Sequence, residues 1–362
     1  MKRTVLALTL VMALSASIMA GMQTLQVAEA NFLRPSNHIG IDSNGTVSPS
    51  NAPITRKGNL YTIKNDLFDT DIKIESSNII LDGANHWLAA SNASGVLIEK
   101  ASNVLIKNLR IESVLYGVFF LNSFNCSVEE TTISNALSGI YLFGSNNILA
   151  KRNTVSNSWV GFEFNKAHNN TLFANEIRNN TFGFYMSGFR DSVVCDNILI
   201  NNDAIAYIGS HNSDHSIRNQ VYENSFLYNR HYISYDGVFD LTGRMIVFTS
   251  NAIFWDKDGR GNYWSDYLTI YPNATEIGNS GVGNTLYIID ANNIDHYPLM
   301  KPAAIPELPD RTGSIPELPG GTGDNGTDKT EPFPTLLVFA VTVTVVAMVA
   351  VGLLVYFKKR KR

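Results

Sequence analysis

The chain is poor in cysteine, with 2 among 362 residues, and poor in charge, with 17% Asp, Glu, Lys and Arg. So few thiols exclude a small disulfide-framed scaffold. A net charge of −4, with its one concentrated basic run at the last five residues, excludes a nucleic-acid partner. Helical spacing of apolar residues is missing, which argues against a helical solenoid. The Leu-x-x-Leu-x-Leu signature is missing too, which removes a leucine-rich repeat.

What the chain does have is a period. Gly95, Gly117, Gly139, Gly161 and Gly183 each follow the last by 22 residues. Apolar columns keep the same phase. One runs Val96, Val118, Ile140, Phe162, Phe184, Ala206, and a second runs Ile98, Phe120, Leu142, Phe164, Met186, Ile208. A third runs Ile111, Ile133, Val155, Ile177, Leu199, Val221, and a fourth Ile106, Val128, Ala150, Leu172, Val194. Asparagine recurs likewise, as in Asn103, Asn125, Asn147, Asn169 and in Asn153, Asn175, Asn197, Asn219. A fixed period of this size means stacked units that bury their apolar faces only against one another.

Columns two residues apart share a face of a strand, and the segments are rich in β-branched and aromatic residues punctuated by Asn and Gly. The fold class that follows is all-β, a parallel β-helix of 22-residue coils. Asn tolerates left-handed turns, and stacked amides can hand hydrogen bonds along the axis. Cys126 and Cys195 fall about three coils apart, ~14 Å at the strand spacing. That is too far for a disulfide, which predicts two buried free thiols.

The repeat is clean to about residue 224, and the expected domain boundaries follow from where it stops. Residues 1–30 read as a secretory signal, with Lys2 and Arg3 before an apolar run and Ala28-Glu29-Ala30 at the end. Residues 31–251 are the β-helix, and 252–301 are a non-repeating C-terminal cap. Residues 302–335 form a Pro/Gly-rich stalk. Residues 336–357 carry no charge and suffice for one transmembrane helix across ~30 Å. The basic tail 358–362 then lies in the cytoplasm. The expected localisation is the cell membrane, single-pass, with an extracellular ectodomain. Among the sequons, Asn273 and Asn325 are the candidates for glycosylation; Asn125, Asn169 and Asn179 belong to stacked columns.

The cap carries Gly261-Asn-Tyr-Trp-Ser-Asp-Tyr267, then Tyr287-Ile-Ile-Asp290 and Asn293-Ile-Asp-His-Tyr-Pro-Leu-Met300. With the Asn-rich coils and Ile79-Ile-Leu-Asp-Gly83, this resembles the NosD-like right-handed parallel β-helix proteins of the pectin-lyase-like fold group, in an archaeal membrane-anchored surface form. The resemblance implies right-handed coiling. It also implies copper handling, in the manner of an accessory protein, or action on polysaccharide. Relatives of the cap often carry an acidic loop suited to calcium. Here that stretch is Gly278-Asn-Ser-Gly-Val-Gly-Asn-Thr285, with Asn in place of carboxylates, so no cofactor is predicted; copper or calcium are the options the resemblance leaves.

Three functional readings stay open. The first is carbohydrate binding by an outward column, Phe119, Tyr141, Glu163, Tyr185 and Tyr207, with Trp159 on the same face and Asp203 as a further acceptor. It places the glycine column beneath as a side-chain-free floor and expects polysaccharide or surface glycans as partners. The alternative is that stacked aromatics only stabilise the sheet. The second reading is a polysaccharide lyase or hydrolase, which needs acids on adjacent coils. Glu130 and Asp196 share a column but lie three coils apart, ~14 Å by the strand spacing, beyond the carboxyl separations of glycosidases, up to ~9.5 Å. The third is a metal site, with His168, Asp191, His211, Asp214 and His215 at one edge as imidazole and carboxylate ligands.

Overall fold

The computed structural model describes residues 37–91, 93–209, 216–235, 237–239, 245–247 and 253–302. The signal segment, the stalk, the transmembrane run and the tail lie outside the described residues, as do His211, Asp214, His215 and Asn325. Among the described residues no helix is long and apolar enough to cross a membrane.

Each coil contributes three strands. In one, they are Tyr116–Leu121, Ser127–Glu129 and Thr132–Ser134, and the next coil begins with Ser138–Phe143. Stacked in parallel, they build three sheets of ten, ten and eight strands. The first, six-residue strand of each coil forms the widest face, and identical columns lie in register: Val118 pairs with Ile140, which pairs with Phe162 and then Phe184. These side chains are wholly buried and form one continuous core. A parallel β-helix is therefore the architecture. Two antiparallel pairings, Asn37–Ile41 with Val47–Ser48 and Ile54–Lys57 with Leu60–Ile63, close its N-terminal end.

The glycine column belongs to this core, not to an outward floor. The burial of Tyr116–Leu121 puts Gly117 and Val118 both inside, and the ladder pairs Tyr116 with Ser138 and Val118 with Ile140, passing over the glycine. A Cβ at Gly161 would stand 2.7 Å from Ile177 Cγ2 and 2.6 Å from the Gly183 carbonyl; one at Gly183 would stand 2.8 Å from Leu199 Cδ2. Backbone meets the Ile/Val column of the third sheet there, so no side chain fits. The column ends at Ile205, itself buried.

Asparagine serves in two ways. Exposed columns hold the corners: Asn103, Asn125, Asn147 and Asn169 have φ of 53–56°, as do Asn135, Asn157 and Asn179 at 53–55°. Asn pays little strain in this left-handed region. Other columns point inward. Asn153 Nδ2 donates to Asn175 Oδ1, Asn175 to Asn197, Asn197 to Asn224 and Asn224 to Asn262, at 2.9–3.0 Å. The same oxygens accept the backbone N–H of the coil below. A second ladder runs Asn180, Asn202, Asn229.

These ladders correct the phase read beyond Ile208. The coil between Asn197 and Asn224 is 27 residues long, five more than its predecessors. Val221 therefore stacks on Val194 and not on Leu199, whose partner is Phe226. Asn219 likewise leaves the Asn197 column and accepts from the Ser192 N–H.

The segment expected to be a separate cap starts as coil. Ile253–Phe254 and Tyr263–Trp264 add a strand each to the second and third sheets. The chain then turns across the open end, where Trp264, Tyr267 and Tyr287 are buried, Trp264 and Tyr287 stacked at 4.4 Å. Asp295 ends the ladder. Its Oδ2 accepts the Asn262 N–H (2.7 Å) and Trp264 Nε1 (2.9 Å), and its Oδ1 the Tyr297 N–H (3.0 Å). Gly261 has no room for a Cβ because the Asp295 carboxyl occupies that space. The Gly-Asn-Tyr-Trp run is thus the seat of a buried carboxylate, which burial pushes up to about 6.

Cys126 and Cys195 are buried and free.

Candidate functional site

The outer face of the widest sheet carries two ring clusters. Tyr116, Phe119, Tyr141 and Phe143 form the first; Phe119 stacks on Tyr141 at 4.7 Å and 10°. Tyr185 and Tyr207, stacked at 5.0 Å and 10°, form the second with Phe182. Between them passes the row Val160, Glu163, Asn165, which has no ring.

Rings that stack on each other along the axis spend their faces on one another. The column therefore does not lie open to solvent as alternation implied: Tyr141 is only 9% exposed. Phe119, Tyr185 and Tyr207 are half-buried. The indole of Trp159 is different. It sits in the turn before Val160–Asn165, 54% exposed, with its ring edge-on to Phe182 at 5.8 Å and 78°. Leu137, one coil below in the same column, is also exposed, and exposed Asp203 lies two coils above.

Among the described residues, Glu163 is the one acid set among the rings. Its register partners are Tyr141 below and Tyr185 above. Ser138 Oγ donates a short hydrogen bond to its Oε2. Burial raises the Glu163 carboxyl above the usual range, and the Ser138 bond opposes this. Burial, and next the Glu163 charge, also raise the phenols of Tyr116 and Tyr141. The arrangement offers a hydrogen-bonding carboxyl in an apolar setting beside an exposed indole. Sequence columns located Trp159 and Glu163 but passed over Ser138, Tyr116 and Phe182. Those three share the column just before the glycines, and its common phase was the available signal.

Two of the five metal candidates, His168 and Asp191, fall among the described residues. Asp191 is held by Arg218 through Nε (2.5 Å) and Nη2 (2.8 Å), which lowers its pKa. His168 is half-buried on the neighbouring coil, and its other proposed partners lie outside the described residues. Among the described residues no three His, Cys, Asp or Glu groups come together. His38, His86 and His296 each face a single carboxylate, of Asp71, Asp66 and Asp256. At the Gly278–Thr285 loop, Asn284 Oδ1 accepts from Thr275 and Thr285, and Glu276, just before it, accepts the Gly281 N–H. Asn273 is exposed.

The model of the family described as periplasmic copper-binding protein (NosD) matches residues 46–269, more than half of the chain. The chain belongs to the NosD family. No curated protein matches it. Among solved structures, the A-module of a mannuronan C-5 epimerase from Azotobacter vinelandii is similar at 9% identity and a TM-score of 0.35, over 47% of this chain and 61% of that one. A surface adhesin of Streptococcus pneumoniae, PfbA, is similar at 12% and 0.30, over 52% and 70%. The catalytic domain of an α-1,3-glucanase with nigerose bound is similar at 14% and 0.28, over 48% and 51%. This NosD-family chain thus spans about three fifths of the epimerase module. The described residues do not fit the copper of the family's description, since a copper site needs converging imidazole or thiolate ligands. No three such groups converge among the described residues, and the Cys126 thiol is engaged by the Phe124 carbonyl at 3.2 Å.

Proposed function

We propose that this NosD-family chain binds glycans on the ringed face of its solenoid. The observation that carries this is Trp159, an indole 54% exposed at the edge of an aromatic patch. A flat exposed ring suits the apolar face of a pyranose, as rings with an apolar body and a polar edge do in general. Glu163 and Asp203 supply acceptors for sugar hydroxyls. Tyr141, Tyr185, Phe119 and Tyr207 serve as the walls that hold Glu163, because their faces are engaged with each other.

Binding is favoured over a lyase or hydrolase. Two-carboxylate glycoside chemistry needs a second acid nearby, whereas burial and the Ser138 bond are what act on Glu163. We further propose that residues 1–30 direct export and that residues 336–357 anchor the ectodomain outside the cell, with surface polysaccharide as the partner. Carbonate-resistant membrane fractionation and protease shaving of intact cells test that placement; a soluble or protease-protected ectodomain would refute it.

The binding test is a glycan array probed with the full chain and with Trp159→Ala. A loss of at least about tenfold in affinity is expected, on the scale of ~1–3 kcal/mol for losing one stacking aromatic. Glu163→Gln should weaken the same glycans by less. Unchanged glycan binding by Trp159→Ala would sink the reading.

A further inference from the structure

The five extra residues of the 27-residue coil change what meets at one corner. Cys195 pairs with Tyr222 across the ladder, so Asp196 and Glu223 follow as neighbours on successive coils. The sequence period had placed Asp196 with Glu130, three coils away. At this corner the closing segment folds back, with Leu299 bridged to Tyr263 and to Val282. Between coil and closing segment lies a cavity of about 360 Å³, lined by Asp196, Glu223, Arg260, Leu299 and Lys301. This is within the size range of small-molecule sites, about 300–1,000 Å³.

The cavity holds two acids and two bases, but just one ion pair forms. Arg260 Nε reaches Glu223 Oε1 at 2.5 Å. Asp196 is half-buried and has no cation within ion-pair distance among the described residues. Lys301 has no carboxylate there either. Burial, and next the Glu223 charge, hold the Asp196 carboxyl above the usual range. A cation brought beside Asp196 relieves the like-charge contact, and an anion brought to Lys301 completes the second pair.

We propose that this cavity binds a small zwitterion, an α-amino acid, with its ammonium on Asp196 and its carboxylate on Lys301. The site lies apart from the ringed face and does not depend on the glycan reading. Arg260 keeps Glu223 engaged, so the ligand ammonium meets Asp196, which takes a hydrogen bond from the Cys195 thiol but has no ion pair among the described residues. The Leu299 and Pro302 lining accommodates a side chain.

The test is saturation-transfer NMR on the full chain in detergent micelles, with L-alanine, L-leucine and L-glutamine as probes. At least one should bind saturably. Its decarboxylated amine and its deaminated acid should each bind at least about tenfold more weakly, the scale of one lost charge-assisted contact. Asp196→Asn and Lys301→Gln should each weaken the amino acid by a similar factor; Lys301 is exposed, so its variant keeps the fold. Trp159→Ala should leave the signal unchanged. No saturable probe, an equal signal from the amine or the acid, or an unaffected Lys301→Gln would overturn the proposal. Loss of the signal in Trp159→Ala would move the binding to the ringed face and overturn it equally.

Discussion

The middle coils and the closing segment solve one problem with different chemistry. In the coils, a buried Asn both accepts and donates, so each amide passes its hydrogen bonds to the next and no rung is special. At the closing end there is no next rung. Asp295 takes three donors and has none to place. An amide there would leave its NH₂ without a guaranteed acceptor in a site with no water contact. An indefinite array thus runs on neutral, self-complementary groups, while its end requires an acceptor-only group.

The largest effect should come from removing that terminator. Asp295→Ala leaves the buried Asn262 and Trp264 donors unpaired and releases the part-exposed Tyr297 N–H; at ~1.5–3 kcal/mol for each buried bond to a charged group, a loss of about 3–5 kcal/mol is expected in urea unfolding. Asn175→Ala, inside the coils, should cost about 2 kcal/mol on the same scale. Equal losses for the two would erase the distinction between rung and end.

The closing end should also respond to pH. Asp295 has a folded pKa of about 6, above the unfolded ~3.9. The folded state therefore holds this proton more tightly. The contribution is fully present below about pH 4 and is lost as pH rises through about 6, on the order of 2–3 kcal/mol. Melting temperatures across this window for the wild type and Asp295→Asn check it: the variant should lack the decline, and a wild type that gains stability from pH 4 to 6 would contradict the assignment.

Glycines sharpen the same contrast. Gly161→Ala forces a Cβ against the Ile177 side chain and the Gly183 carbonyl and should cost about 1–3 kcal/mol, as overpacking does. Gly259, at the closing end, has open space around it and φ of +78°. Gly259→Ala should cost only the left-handed strain, about 1 kcal/mol. Comparable thermal shifts would mean that the core column is less tight than its contacts state.

The smallest effect is a gain. Asn170 Oδ1 accepts the Ile148 N–H, but its Nδ2 is buried without a partner. Ser192, next in that column, meets the same need with a hydroxyl. Asn170→Ser should raise stability by about 1 kcal/mol, read as an increase in melting temperature; a drop would show that the amide is satisfied.

Much of this was legible in the residues. Columns of Val, Ile, Phe and Asn at one spacing specified parallel coils, because in-register stacking is the arrangement that buries them all. The side of the glycines was not legible. Strict alternation makes Gly117 share a face with Phe119, but Gly117 and Val118 both turn inward where the strand starts. The five-residue insertion hid the Asp196–Glu223 neighbourhood for a related reason: a period read from sequence carries no warning of where a coil lengthens. At the aromatic face, the columns named Trp159 and Glu163 without showing that most of the other rings face one another.

Sequence alone determined the repeat, the sheet registers within the 22-residue coils and the identity of the core, since each depends on a local pattern repeated at fixed spacing. Tertiary structure decided which glycine surface is packed, which ring is open, where the Asn ladder ends and which charges share a cavity. Those outcomes depend on how closely two distant backbones approach, and no spacing along the chain encodes that distance.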